Sequence, residues 1–363
     1  MVAILIAIII VIAVIAGALY LTLSDGSGED ESIYYTTIAP SNMKIALDRG
    51  DVAGYIAWEP YCSDSIVAGV GEALVWSGEI KSDHPCCVVL VSNNFLSSSN
   101  GSELTARFLK AHMEATDWIN DALSNKSSTN YTALMDMAVA FTSRNSSVVG
   151  SAFEHVNFDY TITQEFIDTM AWFTESFIEI GVMTNASLTD RGYTSTEDFA
   201  ENYVNESFIG DALEILPSDT IIGEVRLGFL TGDLHQMAQV VARNESFFGG
   251  KNLFEKYGIS ISVATGAPYV NGPSEMDNFA QGNVDIGYLG APPAILKHIN
   301  YPGVQAQIVA QVNTEGSALI VSPGIQSLED LKGKTIAIPG TGTIQYLLLQ
   351  VLIRDAGIEL KAA

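Results

Sequence analysis

The sequence predicts an α/β fold of two lobes, and three observations support that prediction. The chain has 363 residues, 48% of them apolar, so it is long enough for two compact units that each bury a core. Beyond residue 220, short β-branched runs alternate with amphipathic stretches, which is typical of β-α-β units around a parallel sheet. Between residues 103 and 181, polar turns separate amphipathic stretches that predict a run of helices.

The individual elements follow from periodicity and from turn residues. Strands are predicted at residues 33–38, 52–58, 88–92, 224–230, 259–263, 284–289, 306–313, 317–322 and 335–338. Helices are predicted at residues 41–49, 103–122, 131–141, 147–155, 164–181, 234–242, 273–282, from about 292, at 328–334 and at 343–356. Prolines at 292 and 293 suit a first helical turn, where the missing N–H is not needed. Residues 182–220 are polar and contain Gly and Pro, so we expect most of this stretch to be a surface linker.

The N-terminal segment differs in composition from the rest of the chain. Residues 1–23 are mostly Ile, Val, Ala and Leu, and the first charged residue is Asp25. This length matches the roughly 20 apolar residues of a transmembrane helix. A secretory signal would have a basic start and a shorter apolar run, although Ala16-Gly17-Ala18 would serve as a cleavage site. We therefore expect an uncleaved membrane anchor, followed by a flexible acidic tether at residues 24–32.

Charge and glycan acceptor sequences bear on partners and location. With 42 acidic and 17 basic residues the formal net charge is −25, which argues against nucleic acid because phosphates require a basic face. Seven Asn-x-Ser/Thr sequences indicate exposure to a glycosylating compartment. They begin at Asn100, Asn125, Asn130, Asn145, Asn185, Asn205 and Asn244. We therefore expect an extracytoplasmic chain at the cell surface, anchored in the cytoplasmic membrane.

The three cysteines, Cys62, Cys86 and Cys87, do not indicate a disulfide framework. Adjacent cysteines rarely bridge each other because the geometry is strained. We expect all three to be small buried side chains. The sequence predicts no cofactor, no metal cluster and no catalytic triad.

Several motifs resemble the nitrate, sulfonate and taurine type of periplasmic solute-binding protein. In the second half they are LGFLTGDLHQ at 227–236, GPSEM at 272–276, GNVDIGYLGAPP at 282–293, SLEDLKGKTIA at 327–337 and GTGT at 340–343. In the first half, residues 46–60 and 84–87 resemble segments of the family's second lobe, and residues 103–181 resemble its helical cap. The resemblance implies a type II periplasmic-binding-protein-like fold, in which each lobe is a sheet flanked by helices.

The two halves stand in the reverse of the family's order, and we interpret this as a circular permutation. Lobe II would comprise residues 33–87 and 324–363, and lobe I residues 88–181 and 221–323, with the chain crossing near 87–88 and 322–324. Residues 182–220 would join the ancestral termini, and residues 33 and 358 should lie close together. A misassembled or truncated reading frame and a domain-swapped dimer are competing accounts.

Solute contacts are expected at strand-to-helix junctions, where helix N-termini point into the crevice of an α/β sheet. Glycine would let the backbone approach a solute. His235 and His84 lie near these loops, with a structural role as the alternative. Trp58 would cover a solute and Glu59 would accept from an amine, with core packing or a salt bridge as alternatives. The candidate contacts are Thr231, Gly232, Asp233, His235, Gln236, Gly272, Pro273, Ser274, Gly290, Ala291, Pro292, Asn313, Thr314, Gly340, Thr341, Gly342, Thr343, Trp58, Glu59 and His84.

The resemblance implies the solute-binding component of an ABC importer, whose partners are a permease and an ATPase. The solute would be a sulfonate, nitrate, taurine or a related molecule, held in a cleft between hinged lobes. One alternative is an enzyme, because Cys86-Cys87 beside His84 resembles the Cys-rich loop of a pyrimidine-forming enzyme of thiamine biosynthesis with this fold. The other alternative is a ligand-sensing ectodomain.

Overall fold

The computed structural model describes residues 31–245 and 250–363. The expected anchor at residues 1–23 and most of the expected tether lie outside these residues. Within the described ranges, no helix is both long enough and apolar enough to cross a membrane.

Beyond residue 218 the described chain alternates between strands and helices, and residues 101–179 are mainly helical, as predicted. The strands are β1 (Ser32–Thr37), β2 (Gly54–Trp58), β3 (Glu72–Trp76), β4 (Cys87–Ser92), β5 (Val156–Phe158), β6 (Ser218–Gly228), β7 (Tyr257–Val263), β8 (Ile286–Gly290), β9 (Ala306–Gln311), β10 (Asn313–Glu315), β11 (Ser317–Val321), β12 (Thr335–Ile338) and β13 (Glu359–Ala362). The helices are α1 (Pro40–Asp48), α2 (Tyr61–Ala68), α3 (Ser77–Ile80), α4 (Asn93–Leu96), α5 (Gly101–Ser124), α6 (Thr129–Thr142), α7 (Ser146–Ala152), α8 (Gln164–Glu179), α9 (Asn185–Asp190), α10 (Thr196–Tyr203), α11 (Ser207–Leu213), α12 (Met237–Ala242), α13 (Leu253–Lys256), α14 (Gly272–Ala280), α15 (Ala291–Asn300) and α16 (Ile344–Asp355). Short 3-10 turns lie at Leu234–Gln236 and Glu329–Leu331.

Lobe II contains a six-stranded sheet with the order β13-β1-β12-β2-β11-β3. Strand β1 runs parallel to both β12 and β13, whereas β11 runs antiparallel to β2 and β3. Ile33 is paired with Leu360, two residues beyond Ile358. The prediction that residues 33 and 358 lie close together is therefore confirmed.

Lobe I contains a five-stranded sheet with the order β7-β6-β8-β4-β9. Strand β6 is parallel to β7 and β8, and β4 is antiparallel to β8 and β9. Every residue of β4, sequence CVVLVS, is buried, as expected for a central strand of a sheet covered on both faces. Helix α5 covers this sheet with an apolar face, and its Phe108 stacks on Phe254 with 5.0 Å between ring centroids.

The two lobes are joined by crossings at residues 84–87 and 311–317. The first crossing lies close to the predicted position, but the second prediction, near 322–324, is wrong. Residues 317–321 form β11, which pairs with β2 and β3 and so belongs to lobe II rather than lobe I. The predicted strand at 306–313 is also divided, because β10 leaves the sheet of lobe I to pair with β5.

Residues 182–220 are not mainly an irregular surface linker. They contain α9, α10, α11 and the start of β6. Ser195 caps α10 by accepting a hydrogen bond from Asp198 N, and the fully buried rings of Phe199 and Tyr203 anchor that helix. The sequence prediction failed here because each of these helices spans at most eight residues, too few to show a clear helical repeat of apolar positions.

Candidate functional site

A narrow, nearly closed cavity of about 20 Å³ lies between the lobes. Lobe II contributes Trp58 and residues 343–345, while lobe I contributes loops after β6 and β8 and the start of β4. Six predicted contacts meet there: Trp58, Asp233, His235, Gly272, Gly290 and Thr343. The other lining residues are Cys86, Cys87, Leu230, Pro293, Ile344 and Gln345.

Three helices begin at this cavity. Helix α14 begins at Gly272, α15 follows Gly290, and α16 follows its N-cap Thr343, whose hydroxyl accepts from Tyr346 N. The N-terminus of a helix carries unpaired N–H groups and the positive end of the helix dipole. Their convergence creates a positive potential suited to an anionic or hydrogen-bond-accepting group.

Trp58 adds an indole N–H to the same wall. The side chain is 3% exposed, and its Nε1 has no hydrogen-bond partner among the residues that the structure describes. The ring is fixed by an edge-on contact with Tyr61, with 5.8 Å between centroids. A buried donor without a partner is costly, so a solute acceptor in the cavity would remove that cost.

The opposite wall holds a cluster of Cys86, Cys87, Asp233 and His235. Cys86 Sγ lies 3.4 Å from His235 Nδ1, and Cys87 Sγ lies 3.6 Å from Asp233 Oδ2. His235 Nε2 lies 3.1 Å from the carbonyl oxygen of Gly316, to which it donates. That bond orients Nδ1 toward Cys86 and Asp233.

Burial and neighbouring groups shift the ionisation of this cluster. A hydrogen bond from Cys87, together with the facing His235, holds the pKa of the Cys86 thiol well below its usual range despite burial. Burial raises the pKa of the Cys87 thiol and raises the pKa of Asp233 to about 6. Burial would lower the pKa of His235, but the facing Cys86 and Asp233 outweigh it and raise that pKa to about 9. The contact between Cys86 and His235 therefore favours the deprotonated thiol and the protonated imidazole.

Three predicted contacts position the cavity walls without lining them. Glu59 is fully buried and accepts from Ser63 N at 3.0 Å and from Ser63 Oγ at 2.8 Å, and burial raises its pKa to about 7. Gln236 Oε1 accepts from Leu230 N, and its Nε2 donates to the carbonyl of Tyr288. Asn313 Oδ1 accepts from Cys87 N at 3.0 Å.

The remaining predicted contacts lie around this centre. Pro273, Thr341 and Gly342 line a neighbouring cavity of about 220 Å³ that is also lined by Lys297 and Tyr301. The others have local roles outside the lining. Thr231 donates hydrogen bonds to the carbonyls of Tyr269 and Pro268, and Gly232 allows the loop to turn with φ +58°. Ser274 completes the N-cap of α14, and Ala291 and Pro292 are buried in the first turn of α15. Thr314 borders a third cavity, and Gly340 follows Pro339, whose carbonyl accepts a hydrogen bond from Asn271.

His84 does not line the cavity, although it lies two residues before Cys86, which does. It is fully buried, its ring meets Phe173 edge-on, and burial lowers its pKa. Sequence reasoning also missed Cys86 and Cys87 as lining residues. All three cysteines are buried, as predicted, but these two contact ionisable side chains. Their position at the crossing into β4, between the two lobes, could have indicated that they line the cavity.

Direct contacts hold the two lobes together over the cavity. Arg144 of lobe I lies 2.7 Å from Asp64 of lobe II, and Tyr61 Oη donates to the carbonyl of Thr231 at 3.0 Å. On the other side, Asn271 Nδ2 donates to the Pro339 carbonyl at 2.9 Å. The structure therefore represents a closed arrangement.

Two α/β lobes that enclose a cavity at the ends of their strands define the architecture of a solute-binding fold. The model of the NMT1-like family matches residues 17–133 and 223–363. The chain belongs to that family.

Curated relatives match shorter stretches. A protein of Brucella abortus and one of Brucella suis, each named as a binding protein, are 31% identical over 153 residues, or 41% of this chain and 43% of theirs. The taurine-binding periplasmic protein of Escherichia coli is 34% identical over 82 residues, 23% of this chain and 26% of its own. The chain therefore spans less than half the length of these relatives. No solved structure matches it at a significant level.

Proposed function

We propose that this chain captures a small solute between its two lobes, as the extracytoplasmic component of an ABC importer. Family membership and relatives named as binding proteins support solute binding. The observation that carries the proposal is the convergence of Trp58, Gly290 and Thr343, from different lobes, on one cavity. A molecule held there would contact both lobes and stabilise their closure.

The wall chemistry favours a zwitterion such as taurine or a related amino-sulfonate. The helix N-termini and the Trp58 N–H would receive the anionic end. Asp233 on the facing wall would accept from a cationic amine. No Lys or Arg of the described residues lines this cavity, so a bare inorganic anion such as nitrate would find no permanently charged cationic side chain there.

A thermal-shift screen of the full chain in mild detergent tests the proposal. The panel contains taurine, alkanesulfonates, nitrate and pyrimidines. A solute that binds the folded state should raise the melting temperature in proportion to the logarithm of its concentration above the dissociation constant. If no solute does so, and turnover of a panel member is detected instead, the binding role is wrong.

We also propose that the chain is held at the outer face of a membrane by residues 1–23. The support is their apolar composition and the periplasmic location in the name of the Escherichia coli relative. Carbonate washing of membranes tests this: an integral anchor keeps the chain in the pellet, whereas a chain recovered entirely in the wash contradicts anchoring.

The order of segments is proposed to result from circular permutation. The family model matches two separate segments, and the first and last described strands are neighbours. A short loop from residue 358 to residue 32 would restore the family's order.

A further inference from the structure

We propose that Cys86, Cys87 and His235 form a binding site for a single thiophilic metal ion, with an open coordination position that faces the interlobe cavity. Each residue offers one ligand atom, and these three atoms lie within 4.8 Å of one another. All three side chains are buried, and all three line the cavity. The proposal does not depend on the identity of the solute.

The distance between Cys86 and His235 fits a metal of the size of zinc. Bonds of about 2.3 Å to sulfur and about 2.0 Å to nitrogen place tetrahedral ligand atoms about 3.5 Å apart. Cys86 Sγ and His235 Nδ1 are 3.4 Å apart. An ion can therefore replace the proton between these two atoms with little movement of either side chain.

The surroundings of the cluster already orient its ligands. His235 Nε2 donates to the carbonyl of Gly316, which is how metal-binding histidines commonly fix the other ring nitrogen. A Cβ at Gly316 would lie 2.3 Å from that Nε2, so the close approach requires glycine. Asn313 supports both cysteines, since its carbonyl accepts from Cys86 N and its side chain accepts from Cys87 N.

The donor set selects the class of ion. Two sulfurs and one imidazole favour Zn²⁺ or Cu⁺ over Mg²⁺ or Ca²⁺, which prefer oxygen ligands. Two thiolates would balance the charge of a divalent ion inside a buried site. Asp233, whose Oδ2 lies 3.6 Å from Cys87 Sγ, would accept hydrogen bonds from the open position. Sites with three protein ligands and one open position are typical of zinc that meets a further molecule.

Co²⁺ substitution tests the site in the full, reduced chain. We expect one Co²⁺ per chain, with a sulfur-to-cobalt charge-transfer band and the visible bands of tetrahedral cobalt, both displaced by Zn²⁺. Cys86→Ser and Cys87→Ser should each weaken Co²⁺ binding at least about tenfold, since even outer-shell changes cost that much. Cys62→Ala is the matched control, because Cys62 is equally buried but donates to the Ala57 carbonyl instead.

The outcomes separate the proposal from its alternatives. Near-UV circular dichroism of the metal-free variants shows whether each is folded. Co²⁺ binding is then compared among the folded variants. Absence of the charge-transfer band in the reduced parent chain overturns the proposal, as does its retention in the Cys86→Ser/Cys87→Ser double variant. Loss of the band in Cys62→Ala would also overturn it. The titration contains no organic solute, so its result is separate from that of the solute screen.

Discussion

Ile33 and Leu360 face each other in neighbouring parallel strands, so the two ends of the described chain complete one edge of the same sheet. Strand β13 adds to the outer side of β1, while Ile358 lies beside the start of β1. The register therefore leaves only a short gap between residue 358 and residue 32. Because residues 358 and 32 lie so close together, an alternative chain order is physically possible.

A rearranged chain tests the permutation. Residues 218–358, joined by a short Gly/Ser linker to residues 31–217, should fold with the far-UV and near-UV circular dichroism of the parent, because every sheet pairing except that of the edge strand β13 is kept. Loops tolerate such new ends well. Failure to fold, when a second linker length also fails, would contradict the permutation.

Removing the indole N–H of Trp58 should weaken solute binding. Trp58→Phe keeps an aromatic ring and loses one hydrogen bond, so we expect a loss of about 0.5–1.5 kcal/mol for a neutral acceptor and about 1.5–3 kcal/mol for a charged one. Calorimetric titration of the solute found in the screen measures this. Trp172→Phe, in α8 and away from the cavity, serves as the control. Equal losses in both variants would show that the effect is not local.

The contact between Arg144 and Asp64 should bias the lobes toward closure. The pair lies at 2.7 Å and is only partly exposed, and the Arg144 guanidinium also covers the ring of Tyr61. Arg144→Gln should therefore destabilise the closed arrangement by about 1 kcal/mol or less. Small-angle X-ray scattering would then show a larger radius of gyration, and solute affinity would fall by up to about fivefold. Lys126→Gln, which breaks the exposed pair with Glu154, should change neither quantity. An unchanged scattering profile for Arg144→Gln would contradict this role.

Glu275 should make the protein less stable as pH rises. The side chain is fully buried between Gly228 and Gly287, its oxygens have no hydrogen-bond partner among the described residues, and burial raises its pKa well above normal. At a pH above the pKa of Glu275 in the unfolded state, the folded state therefore keeps a proton on Glu275 that the unfolded state has released. Stability is highest below the unfolded pKa and falls as pH rises toward the folded value.

Glu275→Met should remove this penalty. We expect a gain of about 1–3 kcal/mol near neutral pH, the cost of an unpartnered buried polar group, with a smaller gain in acid. Urea unfolding at several pH values measures it. Asp233 and Glu59, with pKa values raised to about 6 and about 7, contribute in the same direction to both proteins. Glu165→Met, in the exposed first turn of α8, is the matched control. A gain that does not grow with pH would contradict the assignment.

Much of the fold could be predicted because its strands and long helices have strong local patterns. The runs at β4, β8 and β12 are apolar and short, and Pro292 and Pro293 mark the start of α15. The helices at residues 185–213 could not be predicted in this way, since Phe199 and Tyr203 are buried in part by contacts with residues distant in sequence, such as His298.

The parts of the site that are formed by backbone turns could be predicted from the sequence. The parts that are formed by side chains distant from each other in the sequence were harder to predict. Gly272, Gly290 and Thr343 stand at strand-to-helix junctions, which local patterns reveal. Cys86 meets His235 across 149 residues, so no local pattern connects them. Glu59 stands beside Trp58, but its side chain turns away from the cavity to cap the first turn of α2.

The most direct test of the account is a crystal structure of the full chain with the solute that gives the largest thermal shift. We expect solute density between the lobes, in contact with Trp58 on one side and Asp233 on the other. Density confined to an outer surface, or to the neighbouring cavity beside Lys297, would contradict it.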